Sequence, residues 1–523
     1  MLNQVQHDNM TSDEKILLQN IRGYLGKEEV NFVILALDFA KSAHRGQRRI
    51  SGKDYIIHPL FVARILSDLK LDAESIVAAL LHDVCEDTKT TPHELKEEFG
   101  SEVAQMVTVL TKLKKISVGE NEVEHFDERT LIAIDALRRV FFAMAEDLRV
   151  VIIKLADRLH NIKDISVFDR EKQKRIARET LYIYAPLASR LGMGEFKRNL
   201  EDGAFKTLNP AKFKEIKKHY RQILTRADKM IKKISLDLKK ELNSAKIEAK
   251  ITFRVKNIYG LHKKLIKLRH NYQRIYDLLG IRIIVKTKED CYKVLGLIHQ
   301  NFRPIPNQFS DYIALPKLNG YQSIHTIVRL GAAAEPRRIR INHSVPLEFQ
   351  IRTYEMDYQA NFGVASHFYY SDIVKPKDKN KRDKIKTPKK ELAWIKELAE
   401  WQAKIKDSRA YIRELKIDFF NDRIFVFTPK GEVKDLPAGS TPIDFAYAVH
   451  SYIGDHARGA RVDGVMRGLD FKLSNGEVVE IIINKNQRGP NADWLAFAKS
   501  ASAKDKIRSY INKLKKSNSF ILR

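Results

Sequence analysis

The stretch Ser75-Ile76-Val77-Ala78-Ala79-Leu80-Leu81-His82-Asp83-Val84-Cys85-Glu86-Asp87 decides the reading of the first third of the chain. Its run from Ser75 to Leu81 is apolar enough for a buried helix, yet it ends in an imidazole and three carboxylates, whose burial is costly without a compensating charge. Residues four apart share a helix face, so His82 is expected above Glu86 and Asp83 above Asp87. That pairing sets a metal ligand beside a second carboxylate. A divalent ion held by imidazole and carboxylate lowers the pKa of a water, and a carboxylate one turn away can take its proton, which makes Glu86 and Asp87 the catalytic candidates.

Working outward, His58 in Tyr55-Ile56-Ile57-His58-Pro59 and Asp157 in Lys154-Leu155-Ala156-Asp157-Arg158-Leu159-His160-Asn161 complete an expected metal set of His58, His82, Asp83 and Asp157. Asn161 follows Asp157 by one turn and faces the same pocket. Nitrogen and oxygen ligands without thiolate suit Mn²⁺ better than a structural zinc, with zinc and iron left open. A lone His-Asp doublet is often an ordinary capped pair; several matched segments together outweigh that reading.

Around these segments, from Asp13 to about Ala204, the apolar spacing is helical, as in Phe32, Leu35, Ala36 and Phe39. A basic helix is expected over Ala211 to Asn243. β-rich runs follow at Ile281 to Val285, Tyr312 to Ala314, Ser323 to Arg329 and Leu347 to Thr353. Val374 to Pro388, crowded with lysine, proline and aspartate, reads as a mobile connector before a helix at Glu391 to Leu415. Ile424 to Thr428, a Pro429-Lys430-Gly431 turn, a helix opened by Thr441-Pro442 and a hairpin at Asn475-Gly476 then suggest a small β-grasp-like module, and the tail after Asp493 reads as a basic helix. The expected divisions are 1–204, 205–373, 374–421, 422–485 and 486–523, and no internal repeat is visible.

In Pro346-Leu347-Glu348-Phe349-Gln350-Ile351-Arg352 the period is two, so Leu347, Phe349 and Ile351 are expected in a core and Glu348, Gln350 and Arg352 on a cleft. Asp277 precedes the Ile281 strand and could meet Glu348 around Mg²⁺ and a triphosphate. Arg254, Lys256 and Lys264 are available for phosphates or for stacking on a base. Lys317-Leu318-Asn319-Gly320-Tyr321, with His325 just beyond, sets a lysine beside an aromatic ring, as a stacked base near phosphate would require. There is no GxxxxGK[ST] loop, so a P-loop is excluded.

Composition narrows the partners. The 523 residues carry a formal net charge of +28, which favours an anionic partner such as nucleic acid, an anionic surface or a highly phosphorylated small molecule. The two cysteines, Cys85 and Cys291, are far apart and indicate neither a disulfide framework nor a thiolate zinc site. The polar N-terminus lacks an export signature and no apolar run reaches spanning length, so a cytoplasmic location is expected.

Taken together these segments resemble the RelA/SpoT family, which handles the guanosine alarmones (p)ppGpp. The resemblance implies a multidomain fold: an all-α HD-type hydrolase domain, an α+β nucleotidyltransferase-like synthetase domain and a small β-grasp TGS domain. It further implies Mn²⁺-dependent removal of the 3′-diphosphate of (p)ppGpp, with Arg49, Ser51 and Tyr55 as substrate contacts. For the second site it implies Mg²⁺-dependent pyrophosphate transfer from ATP to the 3′-hydroxyl of GDP or GTP. There Asp277 and Glu348 would hold metal, with Glu348 also helping to deprotonate the hydroxyl. Tyr321 would stack on guanine, Arg254 and His325 would flank adenine, and Lys256, Lys264, Lys317, Asn319 and Gln350 would contact nucleotide. In Asp422 to Ile483 it implies a regulatory module in which His450 is a candidate contact to tRNA at the ribosome or to a protein partner, against the plain reading of a satisfied helix histidine.

Three departures stand out. Asp164 replaces the family's usual threonine near the phosphates, Gln308 and Ser310 replace a charged pair, and Gly260 replaces a serine. The chain also ends soon after Trp494-Leu495-Ala496-Phe497-Ala498, which implies a form without the further C-terminal regulatory regions of long members. Two alternatives accompany the bifunctional reading: a hydrolase with a weak or inactive synthetase domain, and an RNA-binding regulator, against which the ligands present at both sites argue.

Overall fold

The structure, a computed structural model, describes residues 10–114, 143, 146–269, 279–317, 319–330, 345–366, 423–474, 476–484, 486 and 489–521. The chain divides into two compact units, Met1–Ala399 and Glu400–Arg523. The expected connector at Val374 to Pro388, the helix at Glu391 to Leu415 and Asp277 lie outside the described residues.

The first unit begins with helices α1 (Ser12–Arg22), α2 (Lys27–Ala43), α3 (Ile57–Asp68), α4 (Ala73–Leu81), α5 (Val84–Asp87), α6 (Pro92–Lys114) and α7 (Leu148–Lys163). After a 3₁₀ turn come α8 (Arg170–Glu179), a π-helical turn at Thr180–Tyr184, α9 (Ala185–Arg190), α10 (Gly194–Leu208) and α11 (Pro210–Ser244). Helix α4 is the centre of the bundle because its sequence is apolar all round: Ile76 to Leu81 are fully buried. Asp72 caps it by accepting from Ser75 N–H at 2.8 Å. The helical run continues past residue 204, since α10 ends at Leu208 and α11 follows at Pro210.

A five-stranded sheet follows, with β1 (Ala249–Val255), helix α12 (Ile258–Lys267), β2 (Leu279–Val285), helix α13 (Lys288–Asn301), β3 (Arg303–Asp311), β4 (Ile324–Leu330) and β5 (Val345–Thr353). The strand order is β1-β2-β5-β4-β3, with only the β2–β5 pair parallel. One face carries Ile281, Ile283, Leu347, Phe349 and Ile351 against Ile234 and Leu238 of α11 and Val294 and Ile298 of α13.

One expectation for this sheet is corrected. Tyr312 to Ala314 is a turn, not a strand, because Asp311 Oδ1 accepts from the N–H groups of Ile313 and Ala314 at 2.9 Å and ends β3 there. The strand it terminates was masked in sequence by Pro304 and Pro306, which a sheet tolerates because β3 is at its edge.

Helix α14 (Tyr354–Phe362) returns the chain to the helical bundle. Gly363 closes it with φ 55° and ψ −129°, Val364 N–H donates to Leu191 O at 2.9 Å, and a Cβ on Gly363 would stand 1.9 Å from Leu191 O. Neither the dihedrals nor the space admits a side chain. Gly363→Ala is therefore expected to cost at least about 3 kcal/mol; a wild-type midpoint in thermal unfolding of the full chain would contradict this.

The second unit contains β6 (Arg423–Phe427), β7 (Val433–Pro437), helices α15 (Pro442–Val449) and α16 (Ser451–Asp455), β8 (Ala457–Val462), β9 (Val465–Arg467), β10 (Val479–Ile483), α17 (Trp494–Phe497) and α18 (Ala501–Ile521). Thr441 and Pro442 occupy the cap and first-turn positions expected of them. The turn at Gly476 forms, with φ 94°, but β10 pairs with β8 in the sheet order β10-β8-β9, not with the residues just before the turn.

Asp444, fully buried, ties this unit to its tail. Its Oδ1 accepts from Lys499 N–H at 2.8 Å, Ser500 N–H at 2.7 Å and the Ser500 hydroxyl at 2.9 Å, while Oδ2 accepts from Thr441 N–H at 2.8 Å. Asp444→Asn would turn an N–H₂ toward one set of donors. The expected cost is about 3 kcal/mol or more, read as lost hydrogen-exchange protection in α18; unchanged protection there would refute it.

Candidate functional site

Three helices bring the first site together. His58 lies in the first turn of α3, His82 ends α4, and Asp157 is midway along α7, all nearly sealed from solvent. Ligand atoms of His58, His82 and Asp83 lie within 4.8 Å of one another. Asp157 stands beside them, its Oδ1 3.3 Å from His58 Nε2, and Asp83 Oδ2 is 3.5 Å from the same nitrogen.

The stretch that opened the sequence reading is not one continuous helix. His82 is the C-cap of α4, and Asp83, at φ −102°, begins the short α5. The break turns Asp83 toward His58 while Asp87 N–H still donates to Asp83 O at 2.9 Å, so Asp83 and Asp87 do share a side. The Tyr55 hydroxyl lies 3.0 Å from Asp83 Oδ2 and 2.5 Å from Asp87 Oδ2. Burial, then the charge of Asp83, lifts its pKa above the ordinary phenol value, so it stays a donor.

The protonation pattern suits a cation. His82 Nδ1 is 2.7 Å from Ala79 O, and a carbonyl only accepts, so that nitrogen carries the proton and Nε2 the lone pair. His82 Nε2 is buried 3.3 Å from Asp83 Oδ1, yet it makes no hydrogen bond among the described residues. Such a nitrogen is what a metal ligand leaves behind when its other nitrogen is fixed by a carbonyl. Burial lowers the pKa of His58, outweighing Asp157, which keeps its ring neutral. Burial alone would raise Asp157, but the Lys154 ammonium at 2.6 Å, then His58, hold it well below the carboxylate range. A neutral imidazole at His58 and an ionised carboxylate at Asp157 thus fit a divalent ion.

Arg49 lies at the mouth, where its guanidinium reaches His160 Nδ1 at 3.0 Å, Asn161 Oδ1 at 3.3 Å and Asp164 at 3.9 Å. Asn161 also donates to Asp157 Oδ1 at 2.6 Å. Ser51 sits exposed on the turn beside Gly52. His44, stacked on Tyr55 at 4.6 Å, and His160 were not singled out in sequence. The ring contacts that place them at the site, His44 with Tyr55 and His160 with His58, span 11 and 102 residues, and no local pattern announces a contact of that kind. Burial, then the charge of His58, brings His160 down to about 3, so it is a neutral ring.

At the second site strand register does the assembling. Arg254 pairs with Gly280 and Gly280 with Glu348, while Arg282, Gln350, His325 and Ser310 form the adjacent row. Gly280 has no side chain between Arg254 and Glu348; a Cβ there would meet Arg254 Cβ at 3.3 Å and Glu348 Oε2 at 3.6 Å. Arg254 spans the gap to Glu348 Oε2 at 2.5 Å. His325 Nδ1 lies 3.1 Å from Glu348 Oε1, and the Tyr321 hydroxyl 2.7 Å from His325 Nε2. Burial lowers the pKa of His325. Lys317 Nζ is 4.4 Å from the Tyr312 ring centre and 5.3 Å from that of Tyr321.

The polar face of β5 is not an open cleft: Glu348, Gln350 and Arg352 are as buried as the core face. Arg352 donates to Gln350 Oε1 at 2.8 Å, and Arg282 reaches Asp357 of α14 at 3.1 Å. Burial, then the Arg352 charge, holds Arg282 down to about 10. Asn319 touches Ser189 O at 3.4 Å, and Lys256 N–H donates to the Tyr220 hydroxyl at 3.0 Å. Lys264 lies on α12. Gly260 leaves space for Asn257, whose Oδ1 a Cβ would approach to 2.6 Å.

Comparison with known proteins matches residues 36–194 to the HD domain model, 253–391 to the region found in RelA / SpoT proteins, and 424–483 to the TGS domain model. The bifunctional (p)ppGpp synthase/hydrolase SpoT of Escherichia coli K12 is 39% identical over 506 residues, covering 97% of this chain and 68% of that protein. This chain belongs to the RelA/SpoT family. Other RelA/SpoT relatives include a GTP pyrophosphokinase of Streptomyces coelicolor, 40% identical over 95% of this chain and 58% of its own length. A guanosine-3′,5′-bis(diphosphate) 3′-pyrophosphohydrolase of Aquifex aeolicus is 41% identical over 91% of this chain and 64% of its own. The chain therefore spans less than two thirds of several RelA/SpoT relatives.

In the TGS domain His450 is exposed at the N-cap of α16, where its Nδ1 accepts from Tyr452 N–H at 3.1 Å. No helix among the described residues is long and apolar enough to cross a membrane.

Proposed function

We propose that the chain both removes and makes the guanosine alarmone (p)ppGpp. The observation that carries the first half is the buried cluster of His58, His82 and Asp83, in which His82 Nε2 makes no hydrogen bond. His58, His82, Asp83 and Asp157 would hold Mn²⁺, which supplies Lewis acidity to a water and to the scissile phosphate. Glu86 and Asp87 take the proton as water attacks the phosphorus next to O3′. The O3′–P bond breaks, O3′ departs and takes up the proton passed on by these carboxylates, and the attacked diphosphate is released as pyrophosphate. Arg49, Ser51, Tyr55 and Asn161 orient the nucleotide, and Asp164, paired with Arg49 at 3.9 Å and His160 at 3.7 Å, is prevented from simply repelling the phosphates.

The second half rests on the ordered Arg254–Glu348–His325–Tyr321 chain. Glu348 and Asp277 would hold Mg²⁺, and Glu348 accepts the 3′-hydroxyl proton as that oxygen attacks the β-phosphorus of ATP and AMP departs. Tyr321 stacks on guanine, Arg254 and His325 flank adenine, and Lys256, Lys264, Lys317, Asn319 and Gln350 contact nucleotide. A hydrolase with weak synthesis is the second reading. Ser310, opposite His325, leaves the nucleotide without a cation at that position. His450 of the TGS domain, exposed, is the candidate contact for tRNA or a protein partner.

The test supplies guanosine 3′,5′-bis(diphosphate) with Mn²⁺, and separately ATP with GDP or GTP and Mg²⁺, and follows the nucleotides. An alarmone left intact sinks the first half; ATP left intact sinks the second and favours the hydrolase-only reading.

A further inference from the structure

We propose that His160 is a positioning residue that fixes the tautomer of the metal ligand His58. The inference rests on the metal reading above and concerns a side chain that nothing in the motif pattern marks. His58 Nε2 faces Asp157 Oδ1 and Asp83 Oδ2 at 3.3 and 3.5 Å, the side on which a cation would lie. A neutral ring that binds through Nε2 carries its proton on Nδ1. That nitrogen is 3.0 Å from His160 Nδ1, in a buried contact.

Which ring donates follows from the third group present. Arg49 Nη1 is also 3.0 Å from His160 Nδ1, and a guanidinium has no acceptor. His160 Nδ1 must then offer its lone pair, and the proton shared by the two rings belongs to His58. The His160 proton is consequently on Nε2, which points toward Asp164 Oδ2 at 3.7 Å. Asp164 in turn lies 3.9 Å from Arg49. A carboxylate at position 164 is thus placed to hold both Arg49 and the outer nitrogen of His160, a task threonine could perform only in part. Phe61, its ring centre 4.5 Å from that of His160, completes the wall.

The arrangement links the mouth to the metal in one direction. When a nucleotide draws Arg49 away, His160 still accepts from His58 and the ligand keeps its orientation. His160 needs no contact with substrate for this.

The experiment measures Mn²⁺ binding to the purified full chain by competition with a fluorescent chelator. Wild type is expected to bind with an affinity that His82→Ala removes; no such binding refutes the metal reading itself. Given that binding, His160→Leu, which keeps the packing on Phe61, should weaken Mn²⁺ by about 10- to 100-fold. His160→Asn, whose Oδ1 can take the place of Nδ1, should return to within about threefold of wild type, with its amide orientation set by the same two donors. Wild-type affinity in His160→Leu overturns the proposal. So does a folded His160→Asn, judged by its metal-free melting curve, that binds as weakly as the leucine variant.

Discussion

Asp83→Asn is expected to lower alarmone hydrolysis by at least about 10³-fold, equivalent to about 4 kcal/mol of barrier, and to leave synthesis from ATP and GDP unchanged. The side chain is almost fully buried, faces His58 Nε2 and lies 3.0 Å from the Tyr55 hydroxyl. Asparagine has the same shape and can still accept from Tyr55 through its oxygen, so the fold is preserved. What disappears is one of two negative charges opposite a divalent ion. The remaining carboxylate, Asp157, already accepts from Lys154 and Asn161 at 2.6 Å each, so by itself it offers the ion less negative charge than the pair. Initial rates with saturating Mn²⁺ check this, with synthesis in the same preparation as the control for folding. Hydrolysis within tenfold of wild type would remove Asp83 from the ligand set.

Glu348→Gln is the counterpart, with synthesis reduced by at least about 10³-fold and hydrolysis retained. Here two effects must be separated, because the change both removes a proton acceptor and frees the Arg254 guanidinium bonded to it at 2.5 Å. Loss of that half-buried pair, partly screened by solvent at Arg254, is expected to cost about 1 kcal/mol of stability by itself. Arg254→Gln breaks the same pair and leaves the carboxylate. If Glu348 only organises the site, the two variants lose synthesis equally. If Glu348 accepts the hydroxyl proton, Glu348→Gln is the more severe and its defect does not recover when the thermal midpoint is raised by added nucleotide.

Much of the first site was legible because its chemistry demands particular side chains at helical spacing. His82, Asp83 and Asp87 fall within six consecutive residues, and their polar groups contradict the apolar run before them, a signal visible in the chain itself. His58 and the Asp157 to Asn161 turn were joined to it as further nitrogen and oxygen donors, and the fold brings their helices α3 and α7 to the same place. His160 was printed between Leu159 and Asn161 yet carried no signal of its own, since its meaning lies in the ring of a residue 102 positions away. The helix break at His82–Asp83 was equally hidden, because a capping residue and a mid-helix residue of the same type look alike in sequence.

For the sheet, alternation located the core face of β5 correctly and misjudged the other face. Period two separates inward from outward residues but says nothing about what covers the outward side, and helix α14 brings Asp357 over Arg282 and Arg352. Strand β1, Ala249-Lys250-Ile251-Thr252-Phe253-Arg254-Val255, alternates well enough to have been found.

The edge strand has a consequence for the protein as a solute. A sheet that ends in a strand presents unused donors and acceptors, and a second copy can extend it and begin an aggregate. At β3 the outermost strand carries Pro304 and Pro306, neither of which has an N–H, and a register shift between Pro304 and Phe309 bends the pairing with β4. Another strand arriving at this edge would find an interrupted ladder beside the exposed charge of Arg303. The same two prolines that obscured the strand in the sequence thus guard the molecule against its own kind in a crowded solution.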